Sequence, residues 1–177
     1  MIAPVYPKTH KGLARIERAD LVNQPADAWA AVEAVSRLDG RPGDPFRGHL
    51  DAVHVAAIGH SGGAYTSAAL FVRGHSPRLR GAVVIAGARP PIDFGGPPAR
   101  MLFIHGTADP TVPYATGRSA YARVPWPKAF IDLPGQDHGS YLTPGRPGFD
   151  VLMAATTDFL RWTLGHAPAP VPFVRAS

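Results

Sequence analysis

The stretch VAAIGHSGGAYTSAAL, residues 55–70, joins an apolar run typical of a buried strand to a pattern typical of a helix. Gly59 and Gly63 flank Ser61 at the junction. One interpretation is a tight strand–helix turn in which the glycines provide steric room. The other is a G-x-S-x-G turn that holds a serine hydroxyl where a reactant can approach it. Such a short motif also occurs by chance, so the rest of the chain must decide.

Length and composition favour one globular domain. The chain has 177 residues and a mass of 18.8 kDa, with 45% hydrophobic and 18% charged residues. Its formal net charge is +5, but the arginines are scattered and form no basic run, so we expect no nucleic-acid partner. The chain has no cysteine, which excludes disulfides and thiol chemistry.

The sequence predicts neither a membrane span nor a signal peptide. No apolar run approaches the roughly 20 residues that cross a bilayer. The opening residues, MIAPVYPKTHKG, lack a basic region followed by a long apolar one. If Met1 is the true start, we expect a cytoplasmic protein; a preceding segment would allow secretion.

Apolar runs and helical patterns alternate along the chain, which predicts a mostly parallel sheet with helices on both faces. A first strand is predicted over residues 1–7 and a helix over 19–38. Four further strands are predicted over 52–59, 81–88, 100–106 and 128–135, each as a run buried on both faces. Further helices are predicted over 62–72, 114–124 and 148–166.

Three reactive residue types each follow a different predicted strand. Ser61, Asp109 and His138 come in that order, and the carboxyl ends of parallel strands meet at one edge of a sheet. The rival acids Asp132 and Asp137 lie too close to His138 in the chain to follow a separate strand. The three residues therefore form a candidate Ser-His-Asp triad.

Simpler interpretations remain open for each residue. Ser61 would also suit a plain turn, Asp109 a helix N-cap or turn, and His138 a surface loop. His60 and His105 are interpreted as structural. The remaining histidines show no metal-ligand spacing, so we expect neither a metal nor an organic cofactor.

Three motifs, GHSGG, HGTADPTVP and GQDHGSY, make the chain resemble the α/β-hydrolase superfamily. The resemblance covers residues 2–164. It is closest to the compact esterase, lipase and dienelactone-hydrolase-like branch, with polyester-hydrolase and chlorophyllase-like relatives. It implies Ser61 as nucleophile, His138 as general base and then acid, and Asp109 as the orienting acid. It also implies an oxyanion donor at the Gly62 N–H, and an elbow formed by Gly59, His60 and Gly63.

The resemblance implies a serine hydrolase that cleaves small-molecule or polymeric carboxylic esters through an acyl-enzyme. Amide, lactone and thioester cleavage are near alternatives. A protein of a different class, a catalytically silent module used for binding or assembly, is the other interpretation. In the α/β-hydrolase superfamily a second oxyanion N–H comes from a loop that begins H-G, upstream of the strand predicted over residues 1–7. The sequence does not contain that loop, which favours the silent module. The short connection between the strands at 81–88 and 100–106 leaves no room for a cap domain.

The resemblance also implies that N-terminal strands of the fold are missing. We expect residues 1–166 to form the C-terminal portion of a longer hydrolase of roughly 250 residues or more, followed by a proline-rich tail over 167–177. The open sheet edge would then favour aggregation or a homodimer.

Overall fold

The structure, a computed structural model, describes residues 1–10, 12–91, 93–165 and 167–170. The chain divides into two compact units, Met1–Val53 and His54–Ser177. The predicted tail falls mostly on residues 171–177, which lie outside the described residues, as does residue 166.

The first unit is helical. The helix predicted over residues 19–38 appears as an α-helix between two short 3₁₀ helices. Pro25 stands in the first turn of the α-helix, where its missing N–H costs no hydrogen bond. The buried Gln24 donates from Nε2 to Thr9 Oγ1 at 2.7 Å, which ties the helix start to the preceding loop. The bounds are Arg18–Val22 (3₁₀), Gln24–Ser36 (α1) and Arg37–Gly40 (3₁₀).

The strand predicted over residues 1–7 is wrong. Residues 1–6 adopt no regular structure, and the side chain of Val5 is 75% exposed. Pro4 and Pro7 both lack the N–H that a strand donates to its neighbour, so an apolar composition alone did not make a strand here.

The second unit contains a four-stranded sheet in which all strands run parallel and follow one another in chain order. The predicted α/β arrangement is therefore confirmed. None of the helices in the described ranges has the length and apolar character needed to cross a membrane. The strands are Val55–His60 (β1), Leu79–Ile85 (β2), Arg100–Gly106 (β3) and Lys128–Leu133 (β4). The helices are Gly62–Ala69 (α2), Tyr114–Ala122 (α3) and Phe149–Thr163 (α4), with a 3₁₀ helix at Ser140–Leu142.

Helices cover both faces of the sheet. On one face, Val83 of β2 and Ile104 of β3 belong to a buried cluster with Phe159 of α4. On the other, the rings of Phe103 and Phe130 stack 6.0 Å apart and meet Tyr121 of α3 edge-on. The alternation of side chains along β2 and β3 thus supplies two apolar surfaces, as expected of a sheet buried on both sides.

The prediction that the strand at residues 52–59 is buried on both faces is wrong. β1 pairs only with β2 among the described residues, so it lies at the edge of the sheet. Ile58 pairs with Val83, yet its side chain is 47% exposed, whereas Val83 is fully buried. The apolar run reflects strand propensity here without the burial that usually accompanies it.

The connection between β2 and β3 contains no helix among its described residues, 86–91 and 93–99. Phe94 forms an antiparallel bridge with Val72 instead. The ring of Trp126 packs edge-on against the rings of Phe71, His75 and Phe94, which holds this connection close to the sheet.

One pair of identical substitutions tests the edge position of β1. Ile104→Val removes a methylene from the fully buried centre of the sheet and should lower the free energy of unfolding by about 0.5–1.5 kcal/mol. Ile58→Val removes the same group from the exposed edge and should cost less than about 0.5 kcal/mol. Urea unfolding measures both, and equal losses would contradict the edge assignment.

Candidate active site

Ser61 occupies a strained turn between β1 and α2. Its φ of 55° and ψ of −117° are uncommon for a residue with a side chain, and such conformations cost roughly 1–3 kcal/mol. The Ser61 N–H donates to Ile85 O of β2 at 2.9 Å, and its carbonyl accepts from Tyr65 N of α2 at 3.0 Å. Hydrogen bonds from both flanking elements therefore hold the strained turn in place.

The two glycines around Ser61 play different steric roles. A Cβ at Gly59 would stand 2.1 Å from Gly63 O, so the start of α2 can approach β1 only because residue 59 has no side chain. The interpretation that Gly63 also provides steric room is wrong. A Cβ at Gly63 would meet nothing within 4 Å outside the helix's own backbone, so steric room does not require glycine there.

The structure brings Ser61, Asp109 and His138 together in one hydrogen-bonded chain. His138 Nε2 lies 2.9 Å from Ser61 Oγ, and His138 Nδ1 lies 2.8 Å from Asp109 Oδ2. Since a carboxylate only accepts, Nδ1 carries the proton and Nε2 is free to accept from the serine hydroxyl. The His138 side chain is 21% exposed while that of Asp109 is 0% exposed, so the chain of groups runs from a buried acid to a surface-accessible hydroxyl.

Asp109 takes part both in a turn and in the contact with His138. Its Oδ1 accepts from Thr111 N at 2.8 Å and from Val112 N at 2.9 Å, as in an Asx turn. Its Oδ2 contacts His138. Burial raises the pKa of this carboxyl, but the hydrogen bonds from His138, Val112 and Thr111 outweigh burial and hold the pKa below its ordinary value.

The rival acids serve other contacts. Asp137 Oδ1 accepts from Gly139 N at 2.9 Å and from Ser140 N at 2.7 Å, and these hydrogen bonds lower the pKa of Asp137 to about 2. Asp132 accepts a hydrogen bond from the hydroxyl of Tyr114. Asp137 therefore shapes the loop that carries His138, while Asp109 contacts the imidazole.

Two histidines interpreted from the sequence as structural lie against these groups. His60 Nε2 donates to the backbone carbonyl of His138 at 2.6 Å, and the two rings are 4.7 Å apart. Burial lowers the pKa of His60 and outweighs the hydrogen bond to the His138 carbonyl, which acts in the opposite direction. His105 Nε2 lies 3.2 Å from Asp109 Oδ2. The sequence signal for both was their position near the end of a predicted strand, with His60 directly before Ser61 and His105 four residues before Asp109.

Gly62 is the first residue of α2 and follows Ser61 directly. The first N–H groups of a helix have no partner within the helix and lie at the positive end of its dipole. This backbone group is therefore suited to bind an oxygen that gains negative charge next to Ser61.

In residues 1–10, 12–91, 93–165 and 167–170, no three His, Cys, Asp or Glu side chains are arranged to hold a metal ion. A cavity of about 210 Å³ at the start of β3 is lined by Arg80, Pro98, Ala99, Arg100 and Pro127, at the opposite end of the strand from Asp109.

No protein-family model matches the chain, and no curated protein sequence matches it. The chemistry of the site must therefore be argued from its geometry. In a chain of hydroxyl, imidazole and buried carboxylate, the imidazole can remove the hydroxyl proton as the hydroxyl oxygen attacks an electrophilic carbon.

The close approach of β1 and α2 can be tested with one pair of variants. Gly59→Ala should lower the free energy of unfolding by about 1–3 kcal/mol, because the new Cβ would collide with the backbone of Gly63. That backbone is part of α2, so it can move away only if the helix shifts with it. Gly63→Ala should leave stability unchanged or raise it slightly, since alanine favours helix. Denaturant unfolding compares the two, and equal losses would mean that β1 and α2 are not in this contact.

The lowered pKa of Asp109 predicts a dependence of stability on acid. Because its pKa in the fold lies below the unfolded value of about 3.9, the carboxylate contributes its full stabilisation above that pH. That contribution is lost as pH falls through the folded pKa. The free energy of unfolding of Asp109→Asn should therefore decline less steeply below pH 4 than that of the wild type. Parallel declines in urea titrations would show that this carboxyl is not held by its hydrogen bonds.

Proposed function

We propose that this protein is a serine hydrolase of the α/β-hydrolase superfamily that cleaves carboxylic esters. The observation that carries the proposal is the hydrogen-bonded chain from Ser61 Oγ through His138 to Asp109 Oδ2, with distances of 2.9 and 2.8 Å. The strained turn at Ser61 supports it, because strain of this kind persists where it serves a purpose. The parallel sheet and the three motifs GHSGG, HGTADPTVP and GQDHGSY support the superfamily.

In the first step, Ser61 Oγ attacks the ester carbonyl carbon while its proton moves to His138 Nε2. Asp109 keeps the imidazole in the tautomer that accepts this proton and stabilises the imidazolium that forms. The carbonyl oxygen becomes an oxyanion, to which the Gly62 N–H donates. When the carbon–oxygen bond of the leaving group breaks, His138 returns the proton to the departing alcohol and an acyl-serine remains.

In the second step, water attacks the acyl-serine. His138 removes a proton from the water as its oxygen bonds to the acyl carbon, and then gives that proton to Ser61 Oγ as the serine leaves. The products are a carboxylic acid and the free enzyme. Every proton transfer runs through one imidazole, which explains why the same ring contacts both the hydroxyl and the carboxylate.

The exposure of the groups supports an ester that approaches from solvent. Ser61 and His138 are both partly exposed, while Asp109 is buried. An acyl group can therefore reach the hydroxyl without a separate opening step, and the charged acid stays shielded from water. Esters are favoured over amides because resonance with nitrogen makes an amide carbonyl less open to attack by the serine oxygen.

Hydrolysis of p-nitrophenyl acetate and butyrate tests the proposal. Ser61→Ala should lower kcat/KM by roughly 10⁴-fold or more, because no nucleophile remains. A phosphonylating reagent should modify the wild type at Ser61 and leave Ser61→Ala unmodified. Ser67→Ala is the matched control, since Ser67 is a buried serine of α2 whose removal should preserve both hydrolysis and labelling.

Two outcomes would contradict the proposal. Turnover that survives Ser61→Ala would mean that another group acts as nucleophile. A folded wild type that neither hydrolyses these esters nor reacts with the phosphonylating reagent would favour the catalytically silent binding module.

A further inference from the structure

Two hydrogen bonds join the segment that carries Ser61 to the segment that carries His138. The first is the contact of His138 Nε2 with Ser61 Oγ at 2.9 Å. The second comes from the imidazole of His60, the last residue of β1, and ends on the backbone carbonyl oxygen of His138, with 2.6 Å between Nε2 and the oxygen. A side chain of each segment therefore contacts the other segment.

The two segments follow strands at opposite edges of the sheet that the described residues form. The strand order is β1-β2-β3-β4, so β1 and β4 are not paired with each other. Ser61 follows β1 directly, while His138 lies in the loop after β4. Strand pairing alone does not fix the distance between the hydroxyl and the imidazole, so direct contacts between the two segments must contribute.

The surroundings of the His60 ring determine its proton and its orientation. A carbonyl oxygen only accepts, so Nε2 carries a proton. The His60 and His138 rings lie 4.7 Å apart, with 49° between their planes. A Cβ at Gly139 would stand 3.4 Å from both Cε1 and Nε2 of His60, so the His60 ring packs on the backbone that follows His138.

The His60 ring is half-buried, and burial holds its pKa below the ordinary value. Near neutral pH the ring therefore carries no charge. It can bind the backbone of His138 without repelling the imidazolium that forms on that residue during the proposed reaction.

We propose that His60 is a positioning residue for the triad, which donates from Nε2 to the carbonyl oxygen of His138 and thereby fixes the backbone from which the catalytic imidazole extends. This inference rests on the proposed function. Asp109 directs the imidazole through Nδ1, while His60 holds the main chain of the same residue. Because His60 directly precedes Ser61, it ties the base to the strand that carries the nucleophile.

The expected effect is on the rate and does not depend on the acyl chain. Without the donor, the His138 backbone adopts positions in which Nε2 does not reach Ser61 Oγ, and only the remaining fraction of molecules can react. A misplacement of about 1 Å can cost as much as 10²-fold in rate. The loss should have the same size for short and longer acyl groups, because the step that suffers is the transfer of the serine proton.

Two amide variants of the full chain test this, since they differ in reach. The amide nitrogen of glutamine lies about as far from Cβ as Nε2 of histidine, whereas that of asparagine stops near the position of Nδ1. His60→Asn should therefore lose the bond and lower kcat by about tenfold, the size expected for one hydrogen bond. The factor should be equal for p-nitrophenyl acetate and butyrate. The rate of phosphonylation of Ser61 should fall similarly, because that reaction also needs the serine proton removed.

Two further variants complete the comparison. His60→Gln should restore most of kcat and of the phosphonylation rate, because its N–H reaches the carbonyl of His138. His75→Gln is the control and should match the wild type, since His75 is a buried histidine that packs among Phe71 and Trp126. Urea unfolding establishes that each variant is folded.

Three outcomes would overturn the proposal. The first is a folded His60→Asn with unchanged kcat and phosphonylation rate, and the second is a His60→Gln that behaves like His60→Asn. The third is a loss that differs between acetate and butyrate, because it would show that His60 contacts the acyl group instead. If His60→Asn does not fold, His60→Phe takes its place, since its ring can pack on Gly139 but has no N–H to donate.

Nitrogen-15 NMR of the histidine rings separates this inference from the proposed function, because it does not need turnover. In the neutral ring of His60, a proton on Nε2 supports the contact and a proton on Nδ1 overturns it. The proton on His138 Nδ1 should exchange with water faster in His60→Asn than in the wild type or His60→Gln, and equal exchange in all three would overturn the positioning role. A wild type that shows the expected protons but neither hydrolyses esters nor reacts with a phosphonylating reagent would overturn the proposed function alone.

Discussion

The carboxylate of Asp109 is the point on which the geometry of the site depends. Two backbone N–H groups bind one of its oxygens, and two imidazoles lie against the other. A buried charge is costly unless it is hydrogen-bonded, and here three donors, Thr111 N, Val112 N and His138 Nδ1, bind the carboxylate. The same contacts that make the buried charge affordable also fix the turn after β3 and the direction of His138. Removal of any one donor would therefore disturb both the loop and the charge.

The strained turn at Ser61 complements this arrangement from the other side of the site. Strand β1 ends directly before Ser61 and α2 begins directly after it, so the chain must turn within this one residue. A positive φ at a serine is unfavourable on its own. It is stabilised because Ser61 N bonds to β2 and Ser61 O bonds to α2. The absence of a side chain at Gly59 allows the two elements to come close enough for these bonds to form.

Much of the α/β arrangement could be predicted from the sequence, because buried parallel strands leave a strong signal in unbroken apolar runs. The strand predicted over residues 100–106 is β3 over the same residues. The failure at residues 1–7 has a physical cause, since strand propensity cannot replace the N–H groups that Pro4 and Pro7 lack. The edge position of β1 was also missed, because an apolar run indicates that a segment prefers to form a strand but not how many strands pair with it.

The proximity of Ser61, Asp109 and His138 could be predicted because parallel strands end at one edge of a sheet. The proximity of His105 to Asp109 could not be predicted. Its contact with Asp109 depends on how the chain turns after β3, and a spacing of four residues outside a helix does not specify that turn. The empty space beside Gly63 was likewise invisible, since a motif shows which residues recur together but not which of them is sterically required.

The edge position of β1 makes the two halves of the site unequal in their resistance to local opening. Asp109 follows β3, which pairs with both β2 and β4. Ser61 and His138 follow the two edge strands of the described sheet, but β1 contains no fully buried residue, whereas β4 buries Ala129 and Leu133. Fluctuations that open a fold locally start where hydrogen bonds and burial are fewest. Such a fluctuation at β1 would withdraw the serine while the imidazole and carboxylate stay paired. The lifetime of the assembled site is then governed by the fraying of a single strand, and each reclosure returns the hydroxyl to a base that has kept its orientation.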